Sequence, residues 1–358
     1  MRPTVLLRAE QRDTEQRTPI TPKGAAALHE AGVDVVVESS PERVFSDDAY
    51  EAVGCPVVHA GSWLTAPPET VVVGIKELPD EPAELRHRHV YFAHAYKGQT
   101  GADDLLRRFV RGGGEVLDLE YLVDDTGRRV VAFGYWAGFV GASLGAMQAA
   151  GRLPVPLRPM HLDDLTGELE EVAGHLAGAT AVVAGHLAGA TAVVTGAWGR
   201  AGRGAVDALN LAGIGSSRWD RDDTAALDSD ALVAHDLLVH CVLATEPQPP
   251  LLTDADRTRP GRRLRVLVDV TADVTSHLNL LPVSDLHTSW AEPVRRIWHE
   301  PVPLDAIVID NLPSLLPKQA SDDFSSALVP LLPGLFASDA VWQRAAQTYQ
   351  RSIEGLQP

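Results

Sequence analysis

The stretch TAVVTGAWGRAGRGAVDAL, residues 191–209, decides the fold. It reads as a buried apolar strand over Thr191–Thr195, a turn with glycine at Gly196, Gly199, Gly202 and Gly204, and then an apolar helix. Glycine at the GxxGxxG spacing lets backbone approach a pyrophosphate closely, and the helix N-terminus offers N–H groups and the positive end of its dipole. A second strand is expected over Gly215–Trp219, and Asp220 closes it, a little beyond the usual ~20 residues from such a turn. A carboxylate there accepts hydrogen bonds from a ribose diol and repels a 2′-phosphate, so NAD is favoured over NADP. Arg200 and Arg203 pull weakly the other way, because a guanidinium can meet that phosphate.

Just upstream, VAGHLAGATAV at 172–182 recurs unchanged at 183–193. Eleven residues make close to three helical turns, so such an insertion preserves which face is buried. The second copy is expected to supply the strand, and the first to become helix extension or loop. His175 and His186 then stand about three turns apart, too far to share a metal, and no metal site is expected. Residues 172–199 carry no charge and are long enough to cross a bilayer. Their glycines and histidines are too polar for that role, so no membrane span is expected.

Outward from this motif, strands alternate with helical patterns. In the first part, strands are expected at Thr4–Leu7, 33–37, 71–75, 89–93 and 115–119. Thr21-Pro22 offers an N-cap followed by proline at the first helical position, and 103–110 has the apolar spacing of another helix. The uncharged run FGYWAGFVGASLGAMQAA at 133–150 reads as a buried helix and hinge. After the proline-rich 153–159, a second series is expected at Thr191–Thr195, Gly215–Trp219, 237–242 and 264–270, then a strand at 307–309 and helices after Pro317. Such alternation implies parallel pairing through right-handed crossovers. The expected fold class is α/β: two Rossmann-like doubly wound parallel-sheet domains with an inter-domain cleft. Residues 1–133 with 309–358 form the substrate and catalytic domain, and 134–308 the NAD-binding domain.

Composition narrows the partners. A chain of 358 residues has room for two such domains, and a formal charge of −17 disfavours nucleic acid and anionic membrane surfaces. Small molecules are the expected partners. Cys55 and Cys241 are far apart and lack zinc spacing, which points away from a disulfide framework. The N-terminus turns polar by Arg8 without an apolar signal core, so a cytoplasmic location is expected.

The ionisable groups that can do chemistry follow strands of the first domain. Arg8, Lys76, His94 and Glu120 each come just after one, which would set them on the carboxyl rim where such sheets bind ligands. A lysine, ordinarily near pKa 10.4 and lowered by a nearby cation, and a histidine that titrates near neutrality can divide acid and base work. Glu77 and Glu120 could tune them. The run Gly141-Ala142-Ser143-Leu144-Gly145 fits the nucleophile-elbow pattern GxSxG, but it lies inside a helical pattern where small residues serve packing.

Together LRAEQRDTEQR, GSWLTAP, GIKELP, FAHAYK, DLEYLVDDTGRRVVAFGYWAGFVGA, GAWGRAGRGAVDAL, RWD, RRLRVLVDVTAD and IDNLPSLLPKQAS resemble the lysine-forming saccharopine dehydrogenases, relatives of alanine dehydrogenase, in order along nearly the whole chain. The resemblance implies reversible, NAD-dependent oxidation of a secondary amine through an imine, releasing lysine and 2-oxoglutarate. It implies Lys76 and His94 as the acid-base pair and Glu77 and Glu120 as the carboxylates that tune them. It also implies Arg17, Lys97 and Arg128 or Arg129 as receivers of substrate carboxylates, with Asp310 joining Gly196, Gly199, Arg200, Gly202 and Asp220 around the cofactor. The chain departs from the pattern at Asn311, at SHLNL (276–280) and over 287–301. A related enzyme joining another amino acid and 2-oxo acid, or an NAD-binding homologue without turnover, are the alternatives.

Overall fold

A computed structural model describes residues 2–97, 99, 101–178 and 189–356. The chain divides into two units, Met1–Ala132 with Pro317–Pro358, and Phe133–Leu316.

Among the described residues, the first unit carries six strands: β1 (Thr4–Leu7), β2 (Asp34–Glu38), β3 (Val57–Val58), β4 (Val71–Val73), β5 (Arg88–Tyr91) and β6 (Glu115–Asp118). They pair in the order β3-β2-β1-β4-β5-β6, every pair parallel. Helices cover both faces of such a sheet, which is why its central strands read as apolar runs such as Val71–Val73 without polar alternation. Strand order reverses at β1 and β4, and the carboxyl ends of that pair open the crevice where doubly wound sheets take ligands. The helix Pro22–Glu30 begins where Thr21-Pro22 predicts, Thr21 Oγ1 accepting from the Gly24 N–H at 3.2 Å. The C-terminal helices Pro317–Leu328 and Ala340–Ile353 belong to this unit. Ser321 Oγ of the first accepts from the Thr18 N–H at 2.9 Å, and the Tyr349 hydroxyl of the second donates to the Gly114 carbonyl at 3.2 Å.

The second unit, again among the described residues, has β7 (Thr191–Thr195), β8 (Gly215–Trp219), β9 (Leu237–His240), β10 (Val266–Asp269), β11 (Arg295–Trp298) and β12 (Leu304–Ile307). The order is β11-β12-β10-β9-β7-β8, parallel except for β11. The α/β, doubly wound reading therefore stands for both units.

Two strands escape the sequence. The two residues of β3 are too few to show a period. In β11, RRIW, a pair of arginines masks an edge strand that lies antiparallel on β12 and whose Arg296 is paired with Asp305 on that neighbour. The core of the second unit also runs further than residue 308. Leu312, Leu315 and Leu316 join Val140, Leu144 and Val268 in one apolar cluster, so the unit closes at Leu316.

The helix Gly134–Ala149 lies in the second unit and is buried along most of its length, which its uncharged sequence requires. Ser143 of the GxSxG run is within it, fully buried, its hydroxyl donating to the Phe139 carbonyl at 2.7 Å; it is no nucleophile elbow. The first copy of the repeat starts in the helix Leu162–Gly178, which carries His175, and the second ends in β7. Residues 179–188, with His186, lie outside the described residues. Among the described residues no single helix is long and apolar enough to cross a membrane.

The helix Arg200–Leu211 crosses Gly134–Ala149 at Gly204, where an added Cβ would stand 2.0 Å from the Tyr135 carbonyl oxygen. Gly204→Ala must push two buried helices apart and is expected to cost about 1–3 kcal/mol, as overpacking does. Urea unfolding measures this, and an unchanged midpoint would mean that the two helices do not meet there.

Candidate active site

The carboxyl edge of the first sheet gathers the chemistry. Past β5 the chain turns through His94, whose φ of +51° is unusual for a side chain bearing a Cβ, and past β6 it enters a short helical turn that carries Glu120. These two turns bring His94 Nδ1 to 3.1 Å from Glu120 Oε2, while Lys97 Nζ donates to Glu120 Oε1 at 2.9 Å. The Phe92 ring stacks on the imidazole at 6.2 Å, and Lys97 also stands 5.8 Å from the Tyr121 ring centroid. The imidazole is about half exposed and Glu120 mostly covered, so the carboxylate orients a group that remains open to ligand. The hydrogen bond from His94, with the Lys97 ammonium, holds the Glu120 carboxyl down to about 2 against the opposing effect of burial.

Lys76 stands three residues beyond β4 on the same edge, half-buried, its own N–H donated to Glu10 Oε2 at 3.0 Å. The neighbours expected to tune it are arranged differently from the sequence reading. Glu77 is turned to the surface and paired with Arg12; partial burial alone would raise its carboxyl, yet that bond and the charges of Arg12 and Lys76 bring it below the usual range. A carboxylate that the sequence reading passed over, Glu15, is buried beside Lys76. Desolvation alone would push its carboxyl up, but Arg17, with the Lys76 charge, holds it below the usual range.

Arg8 is not a cation of the rim. It is 1% exposed, donates to the Ala9 carbonyl at 3.1 Å and to the Lys76 carbonyl, and lies 3.4 Å from Glu10. Arg17 is also buried and grips Glu15 with two parallel bonds, Nε to Oε1 at 2.8 Å and Nη2 to Oε2 at 2.6 Å. A substrate carboxylate reaching Arg17 would share that fork. Arg128 and Arg129 are exposed on a turn bridged from Val123 to Arg129, where Asp124 Oδ1 accepts from the Arg128 N–H at 3.0 Å.

In the second unit the glycine turn leaves the carboxyl end of β7. Gly196 has φ +66°, and Gly199 forms the N-cap of the helix Arg200–Leu211 without any side-chain cap. A Cβ at Gly202 would stand 2.2 Å from the Gly196 carbonyl oxygen, so the bend closes this tightly only with glycine. The result is an uncapped helix N-terminus at a sheet's carboxyl edge, which fits a dinucleotide pyrophosphate. Asp220 is exposed at the end of β8; its Oδ1 accepts from the Asp222 and Asp223 N–H groups at 2.8 and 3.2 Å, and these two bonds hold its carboxyl below the usual range. Arg200 opens the helix after the bend, and Asp310 is exposed beyond the end of β12.

Comparison with known proteins places this geometry. The family model for the alanine dehydrogenase/PNT N-terminal domain matches residues 6–140. A curated saccharopine dehydrogenase [NAD(+), L-lysine-forming] of Neurospora crassa is 41% identical over 370 residues, which cover 99% of this chain and 98% of the relative. The chain belongs to the saccharopine dehydrogenase family. Its counterpart in Schizosaccharomyces pombe is 36% identical over 365 residues, covering 99% of each chain. Two solved structures share the fold of this family member at 17% identity: an L-alanine dehydrogenase, TM-score 0.66 over 99% of this chain and 100% of its own, and a transhydrogenase from Sinorhizobium meliloti, TM-score 0.60 over 93% and 94%.

Because Glu120 is held near 2 from an ordinary 4.5, its ionised form stabilises the fold fully above about pH 4.5 and loses that contribution as pH falls towards 2. The gap corresponds to roughly 3 kcal/mol, which solvent screening at half-exposed His94 and Lys97 reduces to about 1–2 kcal/mol. Glu120→Gln should therefore unfold more easily than the parent in urea at pH 6, with the difference shrinking between pH 4.5 and pH 2. A difference that stays constant across that window would refute the pairing.

Proposed function

We propose that this chain is an NAD-dependent oxidoreductase acting on the C–N bond of saccharopine: saccharopine, NAD and water give lysine, 2-oxoglutarate, NADH and a proton, reversibly. The observation that carries this reading is the His94–Glu120–Lys97 cluster, open to ligand on the same sheet edge as Lys76. In this reading Met1–Ala132 with Pro317–Pro358 carries the substrate chemistry, and Phe133–Leu316 binds the dinucleotide.

Gly196, Gly199, Gly202 and the N–H groups opening the helix at Arg200 would hold the pyrophosphate. Asp220, whose Oδ1 serves the helix cap, would offer Oδ2 to the ribose diol, and Asp310 lies on the same edge of that sheet. NAD, when bound, supplies the hydride acceptor.

Lys76 acts first. A protonated secondary amine cannot release hydride from its neighbouring carbon, so Lys76 takes the ammonium proton and frees the lone pair. Once the glutaryl Cα is oxidised to the imine, His94 takes a proton from water as the oxygen adds to that carbon. The imidazolium returns its proton to nitrogen. The imidazole, neutral again, takes the carbinol hydroxyl proton as the carbonyl forms, the C–N bond breaks with its electron pair going to nitrogen, and lysine leaves. Glu120 steadies the charged imidazole through this cycle and holds Lys97 beside it. Lys97, Arg17 and Arg128 or Arg129 are proposed to meet the substrate carboxylates, with Glu77 and Glu120 tuning the acid-base pair.

Two experiments test the reading. NADH absorbance should fall when lysine and 2-oxoglutarate are supplied together; consumption with a different amine and none with lysine would eliminate saccharopine as the substrate. The Lys76→Met, His94→Gln double variant should bind NADH with the parent's affinity and lose turnover, whereas full activity would remove both residues from the chemistry.

For the cofactor, Asp220→Asn keeps an oxygen for the helix cap but loses the charge. NAD affinity, read by quenching of protein fluorescence, should fall about tenfold, in keeping with the worth of a charge-assisted bond, and discrimination against NADP should narrow. Unchanged affinity for both dinucleotides would exclude Asp220 from the ribose site.

A further inference from the structure

Both proposed proton carriers stand on irregular backbone just past a strand, where ladder hydrogen bonds have run out and buried N–H groups need other acceptors. The structure meets this need the same way twice. Glu10 sends Oε1 to the Ile75 N–H at 2.6 Å and Oε2 to the Lys76 N–H at 3.0 Å. Asp118 sends Oδ2 to the His94 N–H at 2.9 Å and Oδ1 to the Glu120 N–H at 2.9 Å. Both carboxylates are buried, Glu10 at 7% and Asp118 at 1% exposure. A charge so placed is costly unless its bonds are good.

Neighbouring groups complete each bracket. Arg8 pairs with Glu10 at 3.4 Å and donates to the Lys76 carbonyl, so the peptide units on either side of the Lys76 Cα are both held. The guanidinium lies over Gly74, where a Cβ would come within 2.4 Å of Arg8 Nε; the residue after β4 must be glycine for this contact. At the other bracket, the bond to the His94 N–H supports the left-handed backbone of His94, a conformation that is unfavourable by itself for a residue with a Cβ. The bond to the Glu120 N–H starts the turn that aims Glu120 back at the imidazole.

We propose that Glu10 and Asp118 are positioning residues for the reaction: neither touches the substrate, and each fixes the backbone from which Lys76 or His94 moves its proton. This rests on the assignment of Lys76 and His94 as the proton carriers. An amide in place of either carboxylate turns an NH2 group towards an N–H donor, so one of the two backbone bonds is lost. Displacing a catalytic group by about 1 Å can cost roughly 100-fold in rate.

Glu10→Gln and Asp118→Asn test this in the full-length protein. The expected result is a fall in kcat of about 10- to 100-fold, with KM for lysine and 2-oxoglutarate and the NADH dissociation constant little changed. The solvent deuterium isotope effect on kcat should rise, because misplaced proton carriers make proton transfer limit the rate. Simple loss of folded protein would lower kcat and leave the isotope effect as it was; that pattern, or wild-type kcat, overturns the proposal. If either amide variant fails to fold, Glu10→Asp and Asp118→Glu keep the charge and move the carboxylate by one methylene, and the same readouts apply. Loss of turnover in Lys76→Met and His94→Gln alongside wild-type kcat in the amide variants would sink the positioning role alone. Retained turnover in the Lys76 and His94 variants would sink the functional reading beneath it.

Discussion

Where parallel strands stop, their backbone donors lose partners, and in the first unit buried carboxylates take them over. Glu38 does for Ala9 and Trp63, at 2.9 and 2.8 Å, what Glu10 does for Ile75 and Lys76 and Asp118 for His94 and Glu120. Three side chains from β2, from the turn after β1 and from the end of β6 thus tie neighbouring strand ends to one another. Each ionised oxygen accepts at least one N–H, which is what makes burial of the charge tolerable. Arg8 lies among them as countercharge. The backbone of the sheet edge is therefore tied down where Lys76 and His94 leave it.

That arrangement explains what could and could not be read from the chain. Alternation of apolar runs with helical spacing located the central strands, and Thr21-Pro22 and Gly196–Gly204 located the elements around them, because these signals depend on local geometry. His94 and Glu120 were legible, with Lys76, as members of one rim, since each follows an expected strand; Lys97 was indicated only by the family resemblance. The direction of a side chain was not legible. Arg8 and Lys76 both come just after strands, yet one turns inward to meet Glu10 and, distant in sequence, the Lys76 carbonyl, while the other stays half-open. Arg17 looked like a carboxylate receiver and is one, but the carboxylate it holds is Glu15, two residues away. Glu10 and Asp118 lie in stretches that carry the family resemblance but were given no role, although a carboxylate ending or just following an apolar strand in a parallel sheet is a signal that can be searched for.

The second unit follows a different logic. Its bend works by close approach: Gly202 meets the Gly196 carbonyl and Gly204 meets Tyr135 where a Cβ would not fit. The first unit thus offers oriented ionisable groups, and the second offers bare peptide at the bend with the exposed acids Asp220 and Asp310 beyond its strand ends. Such a division suits a reaction in which protons are exchanged with the substrate by one part of the chain while a large anionic cofactor is held by another.

Asp220 has two employments, as anchor for the first turn of Arg221–Ala225 and as the acid at the end of β8. In the ribose role proposed for it, replacing this acid with a small neutral residue to change dinucleotide preference would also loosen the segment that follows unless the newcomer could itself cap a helix. Asparagine, serine and threonine meet both demands and alanine does not. Any engineering or natural drift towards the phosphorylated dinucleotide has, at this position, a very narrow door.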